Sequence, residues 1–362
     1  VDTFAFVIHP IDPKRDVSRK YPLLGKILTE RQIDFFSTFF PPIYISEITG
    51  ITSQATGKEV KGWFLACPYT PRRMLELPEW QVYRKIIQVG HLAEKLGAKI
   101  LGLGAFTSVV GDAGLSIARA LDIPVTTGDS YTVSIAVQAV REAARVMEIP
   151  IEKATVAVVG ATGSIGRVCA ELLADDAGRL LLIGRRKEML EELRARLEVQ
   201  AYGEVVTSTS LDSLKEAELI LTVTSAIHDV IQPEVLRPGC VVCDVARPRD
   251  VSAMVAESRN DILVIDGGMV DVPGPVDFHF DFGFPPGKAY ACMAETIALA
   301  LEGRFEDFTL GKNITRQQVD EITTIAEKHG FRLSGFRSFE REVTAEQIES
   351  IRTRARMARN RS

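Results

Sequence analysis

Residues 155–166 read TVAVVGATGSIG. A run rich in β-branched residues, Thr155, Val156, Val158 and Val159, stops at Gly160. Gly163 and Gly166 follow at three-residue steps, and the apolar pattern then turns helical through Ile165, Val168, Cys169, Leu172 and Leu173. A buried strand feeding a glycine turn and then a helix is the setting in which such a motif binds a nucleotide. Glycines let the backbone approach a pyrophosphate, and the free N–H groups of the helix start face its negative charge. The spacing G-x-x-G-x-x-G is a variant of the usual fingerprint, and similar turns occur without a ligand, so the flanks decide. The expected contacts are Gly160, Thr162, Gly163, Ser164, Ile165 and Gly166.

Downstream, strands are expected at 155–159, 180–184, 204–208, 218–224, 240–245 and 262–266, with helices between most of them. Six such strands, with the glycine turn after the first, make a doubly wound parallel sheet. The end of the second strand sets cofactor choice. An acid there would accept the ribose hydroxyls of NAD, but LLLIG runs into Arg185 and Arg186. Two guanidiniums suit a 2′-phosphate, which favours NADPH over NADH. A pair of solvated helix-start arginines is the plainer reading. The fourth strand ends in Thr224 and Ser225, which would border the nicotinamide end.

Upstream lies a separate α/β layer. Residues 4–9 read as a strand, and 31–40 as a helix closed by Pro41 and Pro42. A β-hairpin over 43–52 and 59–67 turns at Gly57. Helix 79–96 stops at Gly97. Strand 99–103 leads into the turn GLGAFTS, and helix 115–121, strand 123–126 and helix 131–148 complete the layer. Beyond the parallel sheet, 267–287 is rich in glycine, proline and aromatics, and is expected to pack across the mouth of a site. A helix over 288–302 carries Cys292 in its first turns. Closeness to a helix N-terminus favours a thiolate, the nucleophilic form. The plain alternative is a small core residue beside Ala291 and Ala294. Glu295 is either an acid–base partner or a solvated charge. Helix 316–329 follows, then 344–359, whose last part bears Arg352, Arg354, Arg356, Arg359 and Arg361. Such a tail could touch an acidic carrier or a phospholipid surface, though it is more often solvated and partly disordered.

The fold class expected is therefore α/β: a doubly wound parallel Rossmann sheet, a separate N-terminal α/β domain and a C-terminal helical segment. The domains are placed at 1–150 for substrate, 151–284 for NADP, and 285–362 for the helices with the candidate cysteine and the basic tail. With 362 residues, 46% hydrophobic and 25% charged, the chain has the composition of a globular protein. A net charge of -5 argues against general nucleic-acid binding. The mean hydropathy of +0.08 is open to buried strands, an apolar substrate cavity or a subunit interface, so an oligomer stays open. No apolar run reaches membrane-spanning length, and the first residues lack a signal-peptide layout. Cys67, Cys169, Cys240, Cys243 and Cys292 suggest free thiols and a cytoplasmic setting. Cys240 and Cys243 bracket a strand, which fits burial better than a redox pair. His9, His91, His228, His279 and His329 are scattered, and no metal site can be built from the spacing.

ITSQATGKEVKG at 51–62, GLGAFTSVV at 102–110, TTGDSYT at 126–132, ATVAVVGATGSIG at 154–166 and AYACMAETIALALEG at 289–303 together resemble the long-chain fatty acyl-[acyl carrier protein] reductases best known from cyanobacteria. The resemblance runs collinearly from about Phe4 to Leu333. It implies reduction of an acyl thioester, carried by acyl carrier protein or coenzyme A, to a fatty aldehyde with NADPH. It also implies that Cys292 accepts the acyl group, with Cys67 a weaker rival. Tyr131 stands where the family has a histidine, and the turn after His9 is Pro10-Ile11-Asp12-Pro13. Tyr131, Ser130, His9 and Thr107 are the candidate donors or acids near the reacting carbonyl. The alternatives are a two-domain NADP-dependent dehydrogenase of the shikimate type and a non-catalytic NADP-binding sensor. The former would carry a V-T-x-P-x-K stretch, which the N-terminal half lacks.

Overall fold

The computed structural model describes residues 1–226 and 230–360. His228 and Arg361 lie outside the described residues. The chain forms two compact units, 1–131 with 270–332, and 132–269 with 333–362. This departs from the expected boundaries at 150 and 284. The reason lies in the helix Ala291–Glu302, of which ten residues are buried. So apolar a helix must be covered on all sides, and it packs on the strands of the first unit's sheet.

That first sheet has five strands in the order Ile43–Thr52, Glu59–Ala66, Asp2–Ile8, Leu101–Leu103 and Val125–Thr126. The first two form the expected antiparallel hairpin, with Gly57 at φ +68°, and the remaining pairings are parallel. Alternation along the strands divides their side chains between two faces. Ala5, Val7 and Leu65 join Val82, Ile86 and Val89 of helix Glu79–Leu96 in one core. On the other face lie Phe6 and Gly102, and a Cβ at Gly102 would stand 2.1 Å from the Thr296 hydroxyl. Glycine thus lets helix Ala291–Glu302 sit close against the sheet.

The second unit holds six parallel strands in the order Leu263–Ile265, Val241–Asp244, Leu219–Thr222, Thr155–Val159, Arg179–Ile183 and Glu204–Ser208. Its order reverses beside the glycine-turn strand, which is the doubly wound arrangement. The C-terminal segment folds onto this unit as helix Ala345–Arg359. The expectation of a partly disordered tail is corrected here. Thr344 and Gln347 form a capping box, Arg352 and Arg356 pair with Glu148, and Arg359 donates to the Pro238 carbonyl at 3.0 Å. The basic run is in large part an internal fastening. No helix among the described residues is long and apolar enough to cross a membrane.

Candidate active site

The second unit builds a cradle from the glycine turn. Gly160 holds φ +83°, and a Cβ there would stand 2.6 Å from the Val223 carbonyl oxygen. A Cβ at Gly166 would stand 2.2 Å from the Gly160 carbonyl oxygen. Only glycine fits either position. Helix Ser164–Leu173 has Gly163 as its N-cap with no side-chain cap, and its first turn bond runs from Arg167 N to the Gly163 carbonyl. The N–H groups of Ser164, Ile165 and Gly166 precede that bond, so they open from the helix start toward an anion. Thr162 is half-buried beside them. Arg185 and Arg186 are exposed at the tip of the next strand, with no acid between that strand and helix Lys187–Leu197. The cradle and its two guanidiniums fit a dinucleotide. Ser225 is exposed. Thr224 is tied down instead: its N–H donates to Asp250 at 2.9 Å and its hydroxyl also donates to Asp250. Asp250 is fully buried and fixes the loop after the fourth strand; the sequence reading had not singled it out.

The first unit holds Cys292. The helix begins at Ala291, because Lys288–Tyr290 is a short strand, so the cysteine is the second residue of the helix. It is half-buried, whereas Cys67, Cys169, Cys240 and Cys243 are buried. All five are free thiols. The backbone N–H groups of Ala105 and Met293 point at its sulfur. Gly128 lies directly against it: a Cβ there would come within 2.3 Å of the Cys292 Cα. The expected thiolate is overturned. Loss of solvent, and then the nearby Asp129 carboxyl, push the Cys292 thiol up to about 12, against which the two N–H groups are weak. Burial thus favours the thiol form of this cysteine.

Two carboxyls lie beneath it. Glu295 is fully buried and is neither solvated nor idle. It accepts from the Thr126 hydroxyl at 2.5 Å, the Tyr131 N–H at 2.9 Å and the Thr309 hydroxyl at 2.9 Å. It thereby joins the last strand of the sheet to the start of helix Asp129–Val146. Asp129 is buried without such a set of donors, and burial, followed by the Glu295 charge, raises it to about 8. In the sequence Asp129 is only one residue of the stretch TTGDSYT. Its proximity to Cys292 arises from packing between segments more than 160 residues apart.

The other expected donors are otherwise engaged. The Ser130 hydroxyl is hydrogen-bonded to the Thr309 hydroxyl at 2.8 Å. Tyr131 is 1% exposed, and its hydroxyl is raised by burial, with Glu327 and Arg332 as its charged neighbours rather than Cys292. His9 Nε2 accepts the Phe106 N–H at 2.9 Å, and burial pushes the imidazole down to about 4. The Thr107 hydroxyl donates to the Gly104 carbonyl at 2.7 Å. Cys67 is 0% exposed, its thiol raised by burial to about 12.

The segment 267–287, expected over a site mouth, supplies a row of rings. Phe64 of the sheet stands 5.2 Å from Phe282, Phe282 is 5.3 Å from Phe284, and Phe284 is 4.3 Å from Tyr290. Phe278 packs on Phe64 at 5.7 Å. Phe282, Phe284 and Tyr290 are only half-buried. Tyr290 is the N-cap of the helix, two residues before Cys292. The row of rings therefore ends, within one unit, two residues before the cysteine. The alternating FHFDFGF at 278–284 was the signal for it.

Comparison with known proteins joins these observations. A family model described as shikimate / quinate 5-dehydrogenase matches residues 141–266, the nucleotide-binding part alone. "Long-chain acyl-[acyl-carrier-protein] reductase" from Synechococcus elongatus is 32% identical, over 89% of this chain and 95% of that protein. The chain belongs to the long-chain acyl-[acyl-carrier-protein] reductase family. "Aminotransferase PigE" from Serratia sp. is 33% identical over 96% of this chain, and this family member spans 42% of PigE's length. A solved structure, L-tryptophan dehydrogenase from Nostoc punctiforme, is 12% identical, covers 100% of this chain and 89% of its own, and has a TM-score of 0.41. In general class this family member is a nicotinamide-nucleotide-binding oxidoreductase.

Proposed function

We propose that the chain reduces a long-chain acyl thioester, carried by acyl carrier protein or coenzyme A, to the aldehyde with NADPH, through an acyl-enzyme on Cys292. The observation that carries this reading is a half-buried cysteine at a helix start with an aromatic row leading to it. The acyl chain lies along Phe282, Phe284 and Tyr290. Asp129 accepts the Cys292 proton as the sulfur attacks the thioester carbonyl. The tetrahedral adduct collapses, the carrier thiolate leaves, and Asp129 returns the proton to it. The Ala105 and Met293 N–H groups stabilise charge as it develops on sulfur. When bound, the nicotinamide supplies the hydride that reduces the acyl carbon. Reduction would leave a hemithioacetal oxyanion on Cys292, whose collapse would re-form the C=O bond, break the C–S bond, release aldehyde and free a thiolate that takes one proton from solvent.

The glycine turn would hold the pyrophosphate, with Thr162, Gly163, Ser164 and Ile165 around it, and Arg185 and Arg186 would hold the 2′-phosphate. Ser225 would border the nicotinamide end, with Thr224 shaping that loop through Asp250. Charge removal at both arginines is expected to weaken NADPH about tenfold or more and to leave NADH almost unchanged. The deciding experiment is intact-protein mass spectrometry after mixing with an acyl thioester and no cofactor. A gain of one acyl group is expected, absent in Cys292→Ala. Aldehyde formation that survives Cys292→Ala would overturn the acyl-enzyme mechanism and favour direct hydride attack on the bound thioester.

A further inference from the structure

The first unit leaves one part of its apolar surface uncovered. Three short helices, Pro13–Lys20, Pro22–Ile27 and Glu30–Ser37, cluster together, the first packing on the other two. Gly25 fits the second helix against Ser18 of the first, and the third is fastened to the segment after it. The Thr70 hydroxyl donates to Asp34 at 2.5 Å, Arg73 donates to the Thr38 hydroxyl at 3.1 Å, and Lys85 donates to the Phe40 carbonyl at 2.7 Å. Residues 21–40 and 75–80 are thus parts of one surface. Among the described residues sixteen large hydrophobics are exposed, and nine of them fall in those two stretches. Leu23 is 72% exposed, Ile27 74%, Phe39 70% and Trp80 64%. So dense a cluster marks a surface with a partner.

The charge names the partner. Segments 13–40 and 71–87 carry ten basic and five acidic residues, in a chain where 48 acids outnumber 43 bases. Three of those acids are engaged locally: Asp16 accepts from Arg19, Asp34 from Thr70, and Glu76 from Arg72 and Arg73. Lys14, Lys26, Arg31 and Arg84 are exposed. Trp, Phe and Leu interleaved with Lys and Arg on one surface is the make-up of an interfacial anchor, whose apolar side chains enter the acyl boundary while its cations meet acidic headgroups. A second copy of the chain would set this cationic surface against itself. An acidic protein would match the charge but leave most of the apolar surface unexplained. We propose that this face docks on an anionic phospholipid bilayer.

The test is co-sedimentation of the whole chain with phosphatidylcholine vesicles, with and without phosphatidylglycerol. Binding to the anionic vesicles is expected, reduced by salt. The double variant Ile27→Ser/Phe39→Ser is expected to partition at least about tenfold more weakly. Lys26→Ser/Arg31→Ser is expected to lose the preference for phosphatidylglycerol. All four side chains are exposed, so an unchanged melting curve identifies folded variants. The proposal is overturned by no sedimentation with anionic vesicles or by sedimentation that neither variant changes. It is equally overturned if a vesicle-free dimer, or a complex with acyl carrier protein, accounts for the face while vesicles are ignored. No readout uses turnover, so the result stands apart from the chemistry of Cys292.

Discussion

The chain contains two turns of the same kind, one in each unit. In the first unit strand Leu101–Leu103 runs through Gly104 and Ala105 into a helix of four residues, Phe106–Val109. In the second, strand Thr155–Val159 runs through Gly160 and Gly163 into a helix of ten. The difference is where the backbone donors go. In the first turn His9 takes the Phe106 N–H, Gly104 takes the Thr107 N–H, and the Ala105 N–H points at Cys292. In the second, the N–H groups at the helix start are left for a ligand. A strand, a glycine and a helix therefore do not make a nucleotide site. Unclaimed donors and backbone close-packed around glycine do.

The largest expected effect breaks the second turn alone. Gly166→Ala puts a methyl 2.2 Å from the Gly160 carbonyl oxygen, a backbone atom that cannot move without moving the cradle. NADPH binding is expected to weaken roughly 100-fold, about 2.7 kcal/mol, by titration calorimetry. Thioester acylation of Cys292 is expected to persist in the same variant. Loss of both would show that the two turns are not separable and would break the comparison.

How much of this was readable from the chain follows from the same contrast. The nucleotide turn is local: all its glycines fall within seven residues, and strand 155–159 and helix 316–329 begin and end where their patterns said. The cysteine site is assembled from Ala105, Asp129, Cys292, Glu295 and Thr309, which no window of sequence contains. Helix 288–302 was read as starting three residues early, because KAY has ordinary helical composition and its strand character comes from pairing. Cys292 therefore sits nearer the helix start than its pattern implied. Its thiol is nevertheless raised, since burial and a carboxyl from a distant segment outweigh the helix end.

A middle-sized effect tests that balance. If Asp129 is the proton acceptor, the rate of Cys292 acylation rises with pH and levels off above about 8, as Asp129 ionises. Asp129→Asn should lower the plateau by about tenfold to 100-fold and remove the inflection, in stopped-flow measurements of carrier thiol release. Stability gives an independent reading. The folded carboxyl holds its proton from the ordinary carboxyl value of 3.8 up to about 8, so the folded state binds more protons than the unfolded one across that window. The stabilisation that goes with the bound proton is full below about 4 and is lost as pH rises through 8. Asp129→Asn does not ionise. Its melting temperature should equal that of the parent near pH 4 and exceed it increasingly toward pH 8. A constant gap would remove Asp129 from the argument.

The smallest effect isolates the first turn. Ala105 holds φ +48°, ψ -124°, a region that suits glycine and strains a residue with a Cβ by about 1–3 kcal/mol. The equivalent demand in the second turn is met by Gly160 at φ +83°. Alanine in the first therefore holds a rigid N–H on the sulfur against a local cost. Ala105→Gly relieves the strain but gives the unfolded chain more freedom, which offsets about 0.4–1 kcal/mol of the gain. The net change should be a stabilisation of roughly 1 kcal/mol in urea unfolding. Acylation should slow by a few-fold, because a glycine at that position no longer fixes the donor on Cys292. Were the variant both more stable and as fast, the strain at Ala105 would serve packing alone, and the two turns would differ only in length.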